Sequence, residues 1–302
     1  MSLDRIDLLD VHQPGPLARA VHAQLGKVVL PVPVTEIARA LDISEIRIDD
    51  LDGFEGMLLT DRRRSVGAIL ANNKNGRQRA RFTVAHELGH FLMEHHVLSG
   101  ETGFQCRAND MWETREVRRH QKQETEANQF AIDLLAPFAL VDGVLSTDPD
   151  LRDAQRMRDA FDLSLEASVR RMIERRPEPL AAVWSKDAQV RYTVSSDSFP
   201  YIPLKKGDRL PQTSQAFHVQ ANTKTGFTEF WNAPTITWTN RPEVEIFEQT
   251  RRAPQALPSH SFGRTCPRMA MRTRMAMIHI IVSLTCRGFE WARACDSGFP
   301  VL

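Results

Sequence analysis

The chain has 302 residues, 25% of them charged and 42% hydrophobic, with a formal net charge of +1. That length suggests two or three small modules rather than one core, and the near-neutral balance gives no overall pull toward nucleic acid. The four cysteines include no CXXC pair, the start Met1–Asp7 lacks the apolar core of a signal peptide, and the late apolar run from Met275 to Cys286 is too short to span a membrane, so a cytoplasmic protein is expected.

Residues 1–24 read as a polar lead-in and residues 25–145 as an α+β unit, helices around a small sheet. Val34 to Leu41 predicts a helix. Ile46-Arg47-Ile48 then looks like strand, where a DNA-reading motif would place its recognition helix. A hairpin is expected between Met57 and Leu70, with Arg62, Arg63 and Arg64 as solvated charges at its turn. An edge strand there would suit an extended peptide.

The next segment carries the chemistry. His86-Glu87-Leu88-Gly89-His90 is an HEXXH pentad, and two histidines four apart on a helix present both rings to one metal ion. Glu87 then lies beside the open coordination position, where it can take a proton from the attacking water. Thr83 is placed to cap the helix through its hydroxyl. Phe82, Val84, Ala85, Leu88, Phe91 and Leu92 are apolar, so the helix is mostly buried. Polar side chains on such a helix need partners, and a metal supplies them.

A catalytic zinc keeps three protein ligands and an open position. His96 falls at the last histidine of the HEXXHXXGXXH pattern, but Met93 stands where that pattern needs glycine. Phe91 to Glu94 reads as unbroken helix, on which His96 points away from the metal. The better third ligand is Glu124. Its helix carries an apolar stripe at Ala127, Phe130, Ala131, Leu134 and Leu135 and stops at Pro137. Glu124 shares the buried side, whereas Glu126, turned from it by roughly 200°, reads as solvated or as a support for the ligands. Two imidazoles and a carboxylate suit zinc, with manganese as the alternative.

Arg81-Phe82-Thr83-Val84-Ala85-His86-Glu87-Leu88-Gly89-His90, followed by Glu124-Thr125-Glu126-Ala127-Asn128-Gln129-Phe130-Ala131 and running to Pro137, resembles the ImmA/IrrE family of bacterial metallo-endopeptidases. Pro33–Leu41, Phe54–Leu59 and Gly67–Asn72 resemble that family's first helix and hairpin, so the resemblance covers about residues 25–250. Ala136, where the family usually has methionine, is a packing position. The resemblance implies a zincin-like fold, His86, His90 and Glu124 as metal ligands, and Glu87 as the catalytic base. It also implies a protein substrate, a helix-turn-helix repressor, cut in mobile-element induction or the stress response to DNA damage.

Beyond it, residues 146–178 read as helix, turn, helix, with Ser164 capping the second helix. Such a hairpin either binds DNA through Arg170 and Arg171 or packs on the preceding unit, and packing is the reading we prefer. Before Glu124, the polar segment Ser99–Gln123 with Arg107, Arg115, Arg118 and Arg119 reads as a solvated excursion. Residues 179–250 turn to β, with strands at Leu180–Trp184, Val190–Val194 and Thr235–Trp238. Tyr192, Tyr201 and His218 are the groups there able to stabilise an oxyanion, and no spacing singles one out.

Residues 251–302 break the pattern: three of the four cysteines fall there, and Met269–Met277 has neither helical nor strand period. Reading the codons two bases later permits a strand, an acidic run and a Pro-Arg-Phe ending that look like the family's C-terminus. This points to a frameshift near Thr250, which an unbroken frame on resequencing would exclude, and predicts that 251–302 does not pack. The rival to a peptidase is a DNA-binding or scaffold regulator with a structural or vestigial zinc site. Glu87 argues against it, because a structural zinc needs no base.

Overall fold

The computed structural model describes residues 3–97, 103–106, 115–220, 226–252 and 277–284. They fall into two compact units, one of residues 1–145 with 153–171, the other of residues 146–152 with 172–302.

The first unit holds helices α1 (Pro14–Leu25) and α2 (Val34–Ala40), then strands β1 (Ile43–Asp49), β2 (Gly56–Thr60) and β3 (Gly67–Asn72). Helix α3 (Arg77–Leu92), strand β4 (Gly103–Cys106) and helices α4 (Arg115–Leu135) and α5 (Phe138–Val141) follow. Most of α6 (Leu151–Phe161) and α7 (Leu165–Arg175) also belong to it. The sheet order is β1-β3-β2-β4. β1 runs parallel to β3, with Ile46 opposite Ile69, and β2 antiparallel to both neighbours, with Leu58 opposite Ile69 and Phe104. In β2, Gly56, Leu58 and Thr60 face inward while Leu59 faces out, the period of two that a half-buried strand requires.

α3 packs on β2 and β3 on one side and on α4 on the other. The stripe Ala127, Phe130, Ala131, Leu134 and Leu135 is fully buried, and each such Leu or Phe contributes about 2 kcal/mol by leaving water. Gly89 makes close helix packing possible, since a Cβ there would meet the Phe130 ring at 2.9 Å. His22 of α1 lies 2.9 Å through Nε2 from the Leu134 carbonyl.

Four local expectations are corrected. α3 begins after Gly76, whose φ of +93° suits glycine, so Thr83 sits inside the helix with its hydroxyl donating to the Arg79 carbonyl at 3.0 Å. The helix does not continue through Glu94: it ends at Leu92, and Met93 is extended. Arg64 is not a solvated turn charge, although Arg62 and Arg63 are exposed. It is buried, and its Nη1 donates to the carbonyls of His90, Phe91 and Met93 at 2.5, 3.0 and 2.7 Å, while Nη2 donates to that of His96. The carbonyls of His90 and Phe91 are among those that the last turn of a helix leaves without a helical partner. Thr235–Thr237 forms a 3-10 turn rather than a strand, because Pro234 precedes it and accepts a hydrogen bond from the Thr237 amide at 2.8 Å.

Ser164 caps α7, accepting from the Ala167 amide at 3.1 Å. Between α6 and α7, Asp162 adopts a positive φ and receives Arg77 at 2.7 Å and Gln78 at 3.3 Å from the start of α3. The hairpin packs as a part of this unit. Arg171 is 1% exposed, bound to Asp133 at 2.7 Å and the Ala136 carbonyl at 2.8 Å, with its guanidinium over the Phe138 ring. It is therefore withdrawn from any nucleic-acid phosphate.

The second unit is an antiparallel sheet of β5 (Leu180–Lys186), β6 (Gln189–Ser195), β7 (Gly226–Phe227), β8 (Trp231–Ala233), β9 (Glu245–Arg252) and β10 (Met277–Leu284), with helix α8 (Gln215–Gln220). The strand order is β6-β5-β10-β9-β7, with β8 also on β9. Asp187 and Ala188 both have positive φ and close the two-residue turn from β5 to β6. Val183, Val190, Leu210, Trp238 and Ile246 are among its core, and Tyr192 stacks on Trp184 at 4.6 Å. Of residues 251–302, which a frameshift would keep from packing as a native element, the described 251–252 complete β9 and 277–284 stand between β5 and β9, Ile280 opposite Ala182 and Gln249. The run Ile278, Ile280, Ile281 and Val282 has the β-branched composition of an interior strand. The expected frameshifted strand at 256–264, Arg107, and the side chain of Arg115 lie outside the described residues. Among the described residues no helix is long and apolar enough to cross a membrane.

Candidate metal centre

His86 and His90 project from the buried face of α3, one turn apart, and Glu124 reaches them from α4. The two Nε2 atoms are 3.1 Å apart. Glu124 Oε2 lies 3.3 Å from His86 Nε2, and Oε1 lies 3.2 Å from His90 Nε2. Ligand bonds of about 2.0–2.1 Å in a tetrahedron place donor atoms about 3.4 Å apart, so the two imidazole nitrogens, and each of them with one oxygen of the carboxylate, stand close to the separations one zinc ion imposes. His90 and Glu87 are 0% exposed and His86 7%, while the Glu124 side chain keeps 26%, so the cluster opens toward solvent on the Glu124 side.

The electrostatics ask for a cation. Burial would raise the Glu124 carboxyl, yet hydrogen bonds from His86 and His90 outweigh it and hold that group well below the usual carboxylate range. Burial pushes His90 down to about 3, so its ring is neutral, the form that binds metal. His86 differs: burial opposes its protonation, but the hydrogen bond to Glu124 and the charges of Glu87 and Glu124 together raise it. Two carboxylates against two imidazoles leave an excess of negative charge in a buried place, which a divalent cation neutralises. Two imidazoles and one carboxylate are the donor set that zinc takes in peptidases. The residues present fit the ion.

Supporting groups hold the rings. His86 Nδ1 is 3.0 Å from Asn128 Oδ1, one turn beyond Glu124 on α4. His90 Nδ1 is 2.8 Å from Nδ1 of His96, which the chain brings back once α3 has ended at Leu92. His96 Nε2 lies 3.0 Å from Glu126 Oε2, and His95 Nε2 lies 2.9 Å from the same oxygen. Glu126 therefore supports the histidines rather than standing in solvent.

Gly56, at the start of β2, is the close neighbour of Glu87: a Cβ there would come within 2.5 Å of its Oε1 and would also strike Thr83. Sequence reasoning passed over Gly56, Asn128 and His120. His120 lies one turn before Glu124, its Nδ1 3.9 Å from Glu124 Oε1. A signal for two of them was available, since Asn128 and His120 each stand four residues from Glu124 and so share its helix face. Tyr192 and Tyr201 belong to the second unit, Tyr192 as the partner of Trp184 and Tyr201 with 77% exposure. His218 is on α8.

A buried His, His, Glu set with a glutamate beside the first histidine is the active-site arrangement of a zinc peptidase. One comparison with known proteins agrees. The model of the IrrE N-terminal-like domain, a peptidase family, matches residues 44–172. Among solved structures, a Mycobacterium tuberculosis transcriptional regulator is similar over 99% of this chain and 98% of that one, at 14% identity and a TM-score of 0.53, a likeness of fold. No curated protein matches the chain.

Proposed function

We propose, from the premise that residues 44–172 belong to the IrrE N-terminal-like peptidase family, that this protein is a regulatory zinc endopeptidase that cuts a helix-turn-helix transcriptional repressor. The observation that carries the chemistry is the convergence of His86 Nε2, His90 Nε2 and the Glu124 carboxylate at 3.1 to 3.3 Å, next in sequence to a fully buried Glu87. His86, His90 and Glu124 are the metal ligands and Glu87 is the base.

Zinc, when bound, supplies a Lewis acid that polarises the scissile carbonyl and acidifies water. Glu87 accepts the proton of the attacking water and returns it to the leaving amine, general base and then general acid. Gly56 leaves room for that carboxylate. The half-exposed edge at Glu124 and His120 is the side from which a peptide reaches the buried histidines. The repressor substrate is supported by the family resemblance, and a gene-regulatory setting also by the likeness of fold to a transcriptional regulator. The DNA-binding alternative is weakened by Arg171, which is buried on Asp133, and by Arg170, which pairs with Glu166 at 3.3 Å.

The test is incubation of the purified full chain with the helix-turn-helix repressor encoded nearest its gene, with zinc or manganese, beside Glu87→Gln. Metal-dependent cleavage by wild type and a loss of about 10²–10⁴-fold in the variant is the expected result. Cleavage undiminished in Glu87→Gln would remove Glu87 from the mechanism, and failure of zinc-loaded wild type to cut any such repressor would remove the substrate.

A further inference from the structure

His90 has two ring nitrogens and both are engaged. Its Nε2 faces His86 Nε2 at 3.1 Å and Glu124 Oε1 at 3.2 Å, and its Nδ1 faces His96 Nδ1 at 2.8 Å. Two imidazole nitrogens at that distance share one hydrogen, so one ring donates and the other accepts. A ring whose Nε2 lone pair points at a metal carries its hydrogen on Nδ1. His90 then donates to His96, and His96 must carry its own hydrogen on Nε2. That nitrogen faces Glu126 Oε2 at 3.0 Å, an acceptor only. Each link forces the next.

The reverse order would put a hydrogen on His90 Nε2, in the space between the three ligand atoms. What excludes it is the carboxylate at the far end, since Glu126 cannot donate to His96. We propose that His96 and Glu126 are positioning residues that hold His90 in its metal-binding tautomer and orientation. This inference rests on the reading of His86, His90 and Glu124 as ligands.

The chain of contacts is built into the fold. The His96 side chain is 0% exposed, and Arg64 holds its backbone by donating to its carbonyl. Glu126 is steadied by His95 Nε2 at 2.9 Å and by Lys122 Nζ at 3.6 Å, one turn away on α4. Since α4 also carries Glu124 and Asn128, one helix supplies a metal ligand and the acceptors that end the hydrogen-bond chains from both histidines.

His95, His96 and Glu126 also bring their ligand atoms within 4.8 Å of one another, so a second metal site is the competing account. Two features decide against it. A metal on His96 Nε2 would move the hydrogen of that ring to Nδ1, where it would meet the hydrogen of His90 Nδ1. Lys122 would add a positive charge beside the ion.

The test measures zinc affinity of the full chain by competition with a chromogenic chelator, and the absorption spectrum of the cobalt-loaded protein. His96→Leu removes the acceptor, while His96→Asn places a side-chain oxygen where Nδ1 stood. His96→Leu is expected to weaken zinc binding about 10–100-fold and to shift the cobalt bands. His96→Asn should stay within about threefold of wild type and keep its spectrum, and Glu126→Leu should fall between them. Equal affinity and spectra in wild type and His96→Leu would overturn the proposal, as would a His96→Asn as damaged as His96→Leu, which would make His96 a packing residue. Two zinc ions per wild-type chain, one of them lost in His95→Ala, would overturn it in favour of the second site. Wild type that binds no zinc would sink the ligand assignment itself, and the proposal with it.

Discussion

Arg64 Nη1 lies 2.5 Å from the carbonyl oxygen of His90, which ties the hairpin between β2 and β3 to the end of the helix that carries the metal site. One guanidinium thereby serves four carbonyls, from His90 to His96. Burial lowers this arginine to about 10, so it stays charged at neutral pH. Arg64→Ala would take this donor from the His90, Phe91 and His96 carbonyls, leave Met93 only the His96 amide, and free the loop that carries His96. We expect a loss of about 3 kcal/mol in unfolding free energy, with weaker zinc binding in whatever remains folded. Chemical denaturation and chelator competition measure the two effects. An Arg64→Ala protein as stable as wild type would show that water caps the helix equally well.

Gly56→Ala is the complementary test, acting on Glu87, the proposed base, rather than on the proposed ligands. The new methyl would occupy space 2.5 Å from Glu87 Oε1, and a shift of about 1 Å in a reacting group costs on the order of 10²-fold in rate. Peptide cleavage should fall by about that much while zinc affinity stays within a few-fold of wild type. Parallel losses in both would mean that the whole of α3 had moved.

These two residues also mark the limits of sequence reading. The pentad and the Ala127–Leu135 stripe are local periodic signals, and they located α3, the buried face of α4 and the convergence of His86, His90 and Glu124 on one point. Arg64 looked like its neighbours Arg62 and Arg63, because its burial depends on carbonyls 26 to 32 residues further on. The return of His96 to His90 was hidden for the same reason. The helix stops at Leu92 where Arg64 takes its carbonyls, and nothing in Phe91-Leu92-Met93-Glu94 announces that stop. At β10 the difficulty was the reverse: the irregular run through Met277 concealed an eight-residue strand whose partners β5 and β9 precede it in the chain.

The buried pair Arg171 and Asp133 separates the two readings of the α6–α7 hairpin. Asp133 also receives Gln129 Nε2 at 2.9 Å, and its side chain is 16% exposed. Arg171→Met should cost about 3 kcal/mol by leaving that carboxylate without its cation, and should leave any DNA affinity unchanged. Denaturation and a salt-dependent DNA titration decide the matter. A stable Arg171→Met with a reduced slope against salt would restore the arginine as a phosphate contact.

Glu248 in the second unit predicts a dependence on pH. It is fully buried on β9 and accepts from the Ala216 amide at 2.8 Å, the Gln215 amide at 2.9 Å and the Trp238 indole at 3.2 Å. Burial is the larger influence, and against these hydrogen bonds it pushes the carboxyl up to about 7 from 4.5. Below pH 4.5 the group is protonated folded or unfolded and contributes no difference. Between 4.5 and 7 the unfolded chain ionises first, so folding binds a proton and stability falls as pH rises. Above that window the loss is complete, on the order of 3 kcal/mol. Glu248→Gln cannot ionise, so its unfolding free energy should be lower than wild type at pH 5, where one acceptor has become a donor, and should lack this decline toward pH 8. The comparison requires thermal or urea unfolding of the full chain at several pH values, read from the difference between the two proteins so that shared groups cancel. Parallel pH profiles would mean that the three N–H donors already hold Glu248 ionised, with hydrogen bonding rather than burial setting its charge.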